Sequence, residues 1–206
     1  MAWDYSDLDR LGSDAVSNVG LESVDVYRFL AREFAKGDVT ANRVFQFAFR
    51  SFYGIDRAGL TSDFKQQYFR CMQSARDDGR ADIEAIAATL RPYKTLRDCE
   101  SLQFSFITKL ANMIDPSLPI WDFKAARLIG QDANASGAYE RRLQRMSARY
   151  EILKSVAAEL AESDLGARLV SEFRTTYCTD EAEVPTAKVL DFIMWAASAE
   201  CRIRQA

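Results

Sequence analysis

The stretch SLQFSFITKLANMIDPSLPIWDFKAARLIG (residues 101–130) decides how this chain folds. It is the most apolar long segment, and it holds two of the four prolines, Pro116 and Pro119. Proline lacks a backbone N–H and therefore interrupts a helix. We predict a buried helix, a tight turn bounded by the prolines, and a second short helix that begins after Asp122.

The composition indicates an all-helical protein with an aromatic core. Only nine glycines and four prolines occur in 206 residues, which leaves few turns and favours long helices over many short strands. Thirteen phenylalanines, eight tyrosines and three tryptophans each bury a large area. No apolar run is long enough for a membrane span, and the acidic start lacks the basic residues of a signal peptide. We expect a soluble, cytoplasmic protein without membrane contact.

Several kinds of catalytic site are excluded by the residues that are missing. The chain has no histidine, which removes Ser-His-Asp and Cys-His catalytic systems and histidine-containing zinc sites. The four cysteines are far apart and form no CxxC pair, so we expect buried free thiols. No phosphate-binding GxxxxGK[ST] or GxGxxG loop is present. We predict neither a metal nor a cofactor.

Helix signals continue on both sides of the central stretch. Thr40 is a good N-cap for a helix that Gly54 ends, although the alternation of Phe45, Phe47 and Phe49 would also suit a strand. The helices that we predict outside the central stretch cover residues 24–36, 41–53, 62–77, 82–90, 138–162, 165–177 and 185–201. The predicted fold class is an all-α orthogonal bundle of eight or nine helices.

The N-terminus and one internal stretch differ from the rest in composition. We expect residues 1–22 to be a loosely ordered acidic segment, with a short helix near residues 5–11, and residues 23–206 to form one helical domain. The polar stretch GQDANASG (130–137) is the best candidate for a mobile loop. A division of the domain into two lobes would fall there.

The predicted helix over 138–162 carries a continuous apolar stripe. Its members follow one another at steps of three and four: Tyr139, Leu143, Met146, Tyr150, Leu153, Ala157 and Leu160. The stripe is compatible with a coiled-coil homodimer or with a protein partner. A single helix packed on its own domain is the interpretation we prefer, because the stripe is short and contains two tyrosines.

Positive charge is concentrated in residues 122–154, which hold seven basic and four acidic side chains. Such a patch can contact nucleic-acid phosphates, although a solvated helix face is the alternative. The candidates for DNA contact are Lys124, Arg127, Arg141, Arg145 and Arg149.

The residues KLAN (109–112) and PIWDFKAAR (119–127) resemble the core of the helix-hairpin-helix DNA glycosylases. In that superfamily a lysine opens a helix with a K-x-A-N-like start. A short loop then ends in a Pro-h-h-Asp turn, where h is apolar, and an arginine follows the aspartate by five. Lys109, Asp122 and Arg127 match these positions, whereas Ser105 and Ile107 occupy the places of the family's hairpin glycines.

The resemblance implies base-excision chemistry on DNA. Lys109 would attack the sugar carbon and form a Schiff base, and Asp122 would stabilise the developing sugar cation and transfer protons. The excised base would enter an apolar pocket, for which Phe104 and Trp121 are the candidates. The residues alone leave a second interpretation open, in which Lys109 reaches the surface, Asp122 is a helix N-cap and Trp121 belongs to the core. The chain would then be a non-catalytic helical protein-interaction module.

Residues 49–61 and 102–122 together also look like bacterial proteins of unknown function, a similarity that implies no activity. In the first of these stretches, FRSFYGIDRAGLT, the residues that we expect to be exposed are charged. We interpret Arg50 and Asp56 as an ion pair on either side of the turn at Gly54, in preference to a ligand site.

Overall fold

The structure, a computed structural model, describes the backbone of residues 6–203 and the side chains of residues 8–198. Within this part of the chain, regular structure consists of ten α-helices, a 3₁₀ turn at Ile55–Arg57 and an isolated β-bridge. The helices are α1 (Ser6–Val19), α2 (Leu21–Lys36), α3 (Arg43–Phe52), α4 (Ser62–Asp77), α5 (Ile83–Leu90), α6 (Phe104–Ile114), α7 (Phe123–Leu128), α8 (Tyr139–Glu162), α9 (Asp164–Tyr177) and α10 (Thr186–Ile203). The prediction of an all-α protein is confirmed.

Most predicted helix boundaries agree with the structure, but the N-cap of α3 was predicted at the wrong residue. Asn42, not Thr40, caps this helix, since its side-chain oxygen accepts from the Phe45 N–H at 3.0 Å. Thr40 donates instead to the Asp38 carboxylate through its N–H and its hydroxyl. Both residue types are good N-caps, so residue preference alone could not separate them.

Helix α1 is more extensive than the segment expected at the N-terminus. Its apolar residues are buried: Leu8, Leu11, Ala15, Val16 and Val19. Tyr177 holds the C-terminal end of α1 through two hydrogen bonds. Its phenol donates to the Val16 carbonyl at 2.6 Å and accepts from the Gly20 N–H at 3.0 Å. The described part of residues 1–22 is therefore a packed helix. The predicted start of the short helix, Tyr5, lies outside the described residues.

The chain divides into two compact units, each assembled from segments that are distant in sequence. Among the described residues, unit 1 contains 6–24, 116–135 and 145–203, and unit 2 contains 25–115 and 136–144. One of the four crossings, at 135/136, falls within the predicted 130–137 boundary. Helices α2 and α8 contribute residues to both units.

Unit 2 has the aromatic core that the composition predicts. Phe45, Phe49 and Phe69 pack with ring centroids 5.7 to 6.2 Å apart. The Tyr68 phenol, fully buried beside them, donates to the Phe106 carbonyl of α6 at 2.8 Å. Such edge-on and tilted contacts add to the energy of aromatic burial. They hold α3, α4 and α6 together.

The apolar stripe of α8 is buried within the chain, as expected for a helix packed on its own domain. Met146, Tyr150, Leu153 and Leu160 belong to unit 1 and are buried there. Tyr139, in unit 2, donates through its phenol to the Ala87 carbonyl at 2.8 Å. None of the described helices combines the length and the apolar composition that crossing a bilayer needs.

The interpretation of Arg50 and Asp56 as an ion pair is confirmed. Arg50 Nε lies 3.1 Å from Asp56 Oδ1, and Lys65 Nζ lies 2.6 Å from the same oxygen. Between them Gly54 has a φ of +72°, a left-handed conformation that glycine adopts without strain. The pair closes the turn that follows α3.

Asp56→Asn tests the energy of this ion pair. The hydrogen bond from Lys65, helped by that from Arg50, lowers the pKa of Asp56. A carboxylate whose pKa is lower in the folded state than in the unfolded state stabilises the fold. This stability is fully present above the unfolded-state pKa, about 3.9, and is lost as the pH falls through the folded-state pKa. Since the ions are partly exposed, we expect a loss of a few tenths of a kcal/mol at neutral pH. In urea unfolding, that loss should disappear in acid, and a loss that persists there would contradict the ion-pair origin.

Candidate functional site

The candidate site is the turn Pro119–Asp122, which precedes α7 in unit 1. Asp122 has extended backbone geometry and caps the helix. Its Oδ1 accepts from the Lys124 N–H at 2.8 Å and from the Ala125 N–H at 2.9 Å. The N-terminal end of a helix stabilises negative charge, so the carboxylate is held in one orientation at a favourable place. The N-cap role that the sequence left open is therefore present.

The residues before Asp122 are anchored to distant parts of unit 1. The Tyr150 phenol of α8 donates to the Pro119 carbonyl at 2.8 Å. Trp121 is 1% exposed, and its indole N–H donates to the Ala133 carbonyl at 3.1 Å. These partners satisfy polar groups that would otherwise be buried without hydrogen bonds. They also fix the path of the chain into Asp122.

A buried ion pair on α10 supplies the third anchor. Lys188 is 1% exposed, and its Nζ lies 2.7 Å from Asp191 Oδ2 and 4.7 Å from the centroid of the Phe192 ring. The other oxygen, Asp191 Oδ1, accepts from the Ile120 N–H at 3.0 Å. Sequence analysis missed this pair. Its signal was two opposite charges three residues apart in the otherwise apolar stretch 187–197.

Lys109 lies in unit 2, in the second turn of α6 rather than at the start of a helix as the resemblance implies. Its Nζ donates to Ser105 Oγ at 3.1 Å and to the Tyr53 carbonyl at 3.4 Å. The centroid of the Phe106 ring is 4.9 Å away. A helix C-terminus and a ring face both attract a cation. The half-buried amine therefore has a structural role, at the end of α3.

The two predicted catalytic residues belong to different compact units. Lys109 is in unit 2 with Ala111 and Asn112, which are buried, and Asp122 is in unit 1. Each has a structural role within its own unit.

The five basic residues predicted to contact DNA are also divided. Lys124, Arg127, Arg145 and Arg149 are in unit 1, and Arg141 is in unit 2. Lys124 Nζ lies 3.1 Å from the ring centroid of Trp195, which is 44% exposed. Unit 1 thus presents an aromatic ring beside a cation one turn from Asp122.

The loop 130–137, predicted to be mobile, is fastened at several atoms. Arg149 donates to the Asp132 and Asn134 carbonyls, each at 2.9 Å, and pairs with the Asp132 carboxylate at 3.4 Å. Ala133, which lies between Asp132 and Asn134, accepts a hydrogen bond from the indole N–H of Trp121. The guanidinium of Arg149 is thereby engaged inside unit 1.

The predicted pocket residues are almost completely buried. Phe104 and Trp121 are 3% and 1% exposed, so stacking on either ring would require a movement that uncovers it. Unit 1 has a shallow surface groove of about 500 Å³ at another place, with Ser171, Arg174 and Thr186 among its lining residues. None of the predicted site residues lines this groove. Arg174 there is paired with Glu181.

The residues that could bind a metal are dispersed. Among the described residues, no three Cys, Asp, Glu or His side chains gather in a group that could hold an ion. Cys71 is a buried free thiol, and burial raises its pKa. Cys99 and Cys178 are exposed, which corrects the expectation of buried thiols. The side chain of Cys201 lies outside the described residues.

Comparison with known proteins gave no relative: no family model, no curated protein and no solved structure matches this chain. Function is therefore inferred from the residues, their geometry and the sequence resemblance.

Proposed function

We propose that this protein binds DNA and excises a base with associated lyase chemistry, on an orthogonal bundle of the helix-hairpin-helix glycosylase type. The observation that carries the proposal is the anchored Pro119–Asp122 turn. Burying Lys188 and Asp191 contributes little net stability, because desolvating two charges offsets most of their attraction. The anchors around the turn are better explained if Asp122 must be placed accurately. Small displacements of a reacting group slow catalysis strongly.

In the proposed reaction, the neutral amine of Lys109 attacks C1′ of the sugar. The glycosidic C–N bond breaks, and its electron pair leaves with the base, which takes up a proton. The new C–N nitrogen then loses a proton, and its lone pair forms the C=N bond of a Schiff base as the C1′–O4′ bond breaks and O4′ takes up a proton. Asp122, as the carboxylate, stabilises the positive charge that develops on the sugar.

The surroundings of Lys109 suit an amine that must attack. The rings of Phe106 and Tyr53 lie 4.9 and 5.9 Å from Nζ and shield one side of the amine from water. Desolvation by these rings favours the neutral amine, whereas the Tyr53 carbonyl and the ring faces attract the cation, so the ammonium must lose a proton before it attacks. Ser105, at 3.1 Å, is placed to exchange a hydrogen bond with either form of the amine.

DNA binding would use basic residues that are exposed or partly exposed. Lys124, Arg127, Arg141 and Arg145 are proposed to contact phosphates, whereas Arg149 would act mainly by holding the loop 130–137. Each phosphate contact releases counterions, so four contacts give a slope of log affinity against log salt of about −3 to −4. An affinity that does not fall with salt would contradict this part of the proposal.

Borohydride trapping on a duplex with an abasic site tests the chemistry. Wild type should form a covalent adduct, and Lys109→Ala should lower its yield by about 100-fold or more, because the nucleophile is gone. Lys94→Ala, which removes an exposed lysine from the same unit, is the matched control and should behave as wild type. The catalytic proposal fails if wild type forms no adduct or if Lys109→Ala forms as much. Circular dichroism establishes that the variants are folded.

A second candidate function, a non-catalytic interaction module, is favoured by one observation. Val44 and Phe47 lie one turn apart on α3 and are each 64% exposed. We propose self-association through this apolar face as the alternative. Phe47→Asp should then convert an oligomer into a monomer in sedimentation at micromolar concentration, with the circular dichroism spectrum of wild type. A wild-type monomer under these conditions would rule this alternative out.

A further inference from the structure

We propose that the buried Lys188–Asp191 pair positions the turn that carries Asp122. The two oxygens of the Asp191 carboxylate have separate partners. Oδ2 lies 2.7 Å from the Lys188 ammonium, and Oδ1 accepts from the Ile120 N–H at 3.0 Å. Ile120 precedes Asp122 by only two residues. The pair therefore connects α10 to the backbone of the turn, and its catalytic consequence rests on the proposed function.

The ammonium determines how the carboxylate is oriented. A carboxylate with one hydrogen bond can still rotate, but a partner on each oxygen holds it in a single arrangement. Lys188 is fixed in turn by burial and by the Phe192 ring, 4.7 Å from Nζ. Charge-assisted hydrogen bonds are shorter and stronger than neutral ones, so the Ile120 amide is held firmly. The Tyr150 and Trp121 anchors hold the neighbouring residues from other sides.

Simple stabilisation does not explain a pair of this kind. Well-packed apolar side chains in place of a buried ion pair are often as stable or more stable, whereas removal of one partner leaves an uncompensated charge. A test must therefore replace both residues together. The two double variants that we choose differ only in whether an acceptor for the Ile120 N–H is kept.

Lys188→Met/Asp191→Leu removes both charges and the acceptor. Lys188→Met/Asp191→Asn removes both charges and keeps a side-chain oxygen. In the first, exchange of the Ile120 amide, measured by NMR relative to the Val170 amide of α9, should accelerate roughly tenfold, as expected for the loss of one hydrogen bond. The rate of adduct formation with abasic DNA should fall on the order of 10- to 100-fold. The Asn variant should show smaller changes of the same sign.

The two measurements separate the possible outcomes. Faster Ile120 exchange together with slower adduct formation supports the inference. Unchanged exchange in the Leu variant shows that the pair does not hold the turn and overturns it, as does faster exchange with a wild-type rate of adduct formation. If wild type forms no adduct, the proposed function fails and the exchange rates alone decide whether the pair positions the turn. If the Leu variant does not fold, the Asn variant tests the same inference, and the changes expected for it in amide exchange and adduct formation are smaller.

Discussion

Asp122→Asn should leave the fold intact and nearly abolish adduct formation with abasic DNA. Asparagine is as good an N-cap as aspartate, so its side-chain oxygen can still accept from the Lys124 and Ala125 amides. An abasic sugar has no glycosidic bond left to break, and the negative charge that is lost is the one that would face the cationic imine formed when the carbinolamine loses water. Removal of one electrostatic partner of a transition state typically costs about 10²–10³-fold in rate. Single-turnover trapping measures the rate, and thermal unfolding measures the fold.

Asp122→Ala is the control that removes the cap and the charge together. It should lower the free energy of unfolding by about 1 kcal/mol, the usual loss for an N-cap, in addition to the loss of activity. The comparison separates the two roles of one carboxylate. If Asp122→Asn forms adduct at the wild-type rate, Asp122 is only a helix cap and the proposed catalysis is wrong.

Gly166→Ala should strongly destabilise unit 1. A Cβ on Gly166 would overlap the backbone carbonyl oxygen of Leu160, where α8 turns into α9. The turn is closed by Ser163, whose hydroxyl donates to that carbonyl at 2.8 Å and accepts from the Gly166 N–H at 3.0 Å. A backbone atom cannot rotate away, so we expect a loss of about 3 kcal/mol. In a chain of this size that corresponds to a melting temperature lower by about 6–12 °C.

Gly12→Ala is the matched control for this clash. The added Cβ would lie 2.5 Å from Leu169 Cδ2, the far end of a flexible side chain that can adopt another rotamer. Alanine also favours a helix over glycine by about 1 kcal/mol, which offsets the cost of repacking. The melting temperature of Gly12→Ala should therefore change little. Equal destabilisation by the two substitutions would contradict the account of backbone overlap at Gly166.

The sequence specified the local structure more completely than the long-range contacts. Thr61 and Asp82 begin α4 and α5 as N-caps, and their side chains accept from the Phe64 and Ala85 amides at 3.2 and 3.0 Å. Local signals suffice at such positions because the cap and its amide are three residues apart. The same reasoning located Asp122.

The errors occurred where a distant partner decides the conformation. The acidic composition of residues 1–22 suggested loose order. Gly12 in fact permits a close approach of α1 to Leu169. The loop 130–137 has a mobile composition, yet Arg149 anchors it from α8. Such distant contacts cannot be inferred from the composition of a segment or from the spacing of its apolar residues.

The sequence revealed only part of the candidate site for the same reason. Asp122 and its turn were identified, whereas the Lys188–Asp191 pair lies about seventy residues further along the chain. The resemblance that paired Lys109 with Asp122 concerned motif spacing, and these residues belong to different compact units. Their joint action is for this reason the part of the account that most needs a direct test.

Tandem mass spectrometry of the borohydride-reduced adduct tests that central claim most directly. After digestion with protease and nuclease, the account predicts the sugar-derived mass on Lys109 and its absence from the Lys109→Ala protein. Attachment to Lys124, two residues from Asp122, or to any other lysine would contradict the assignment of the nucleophile.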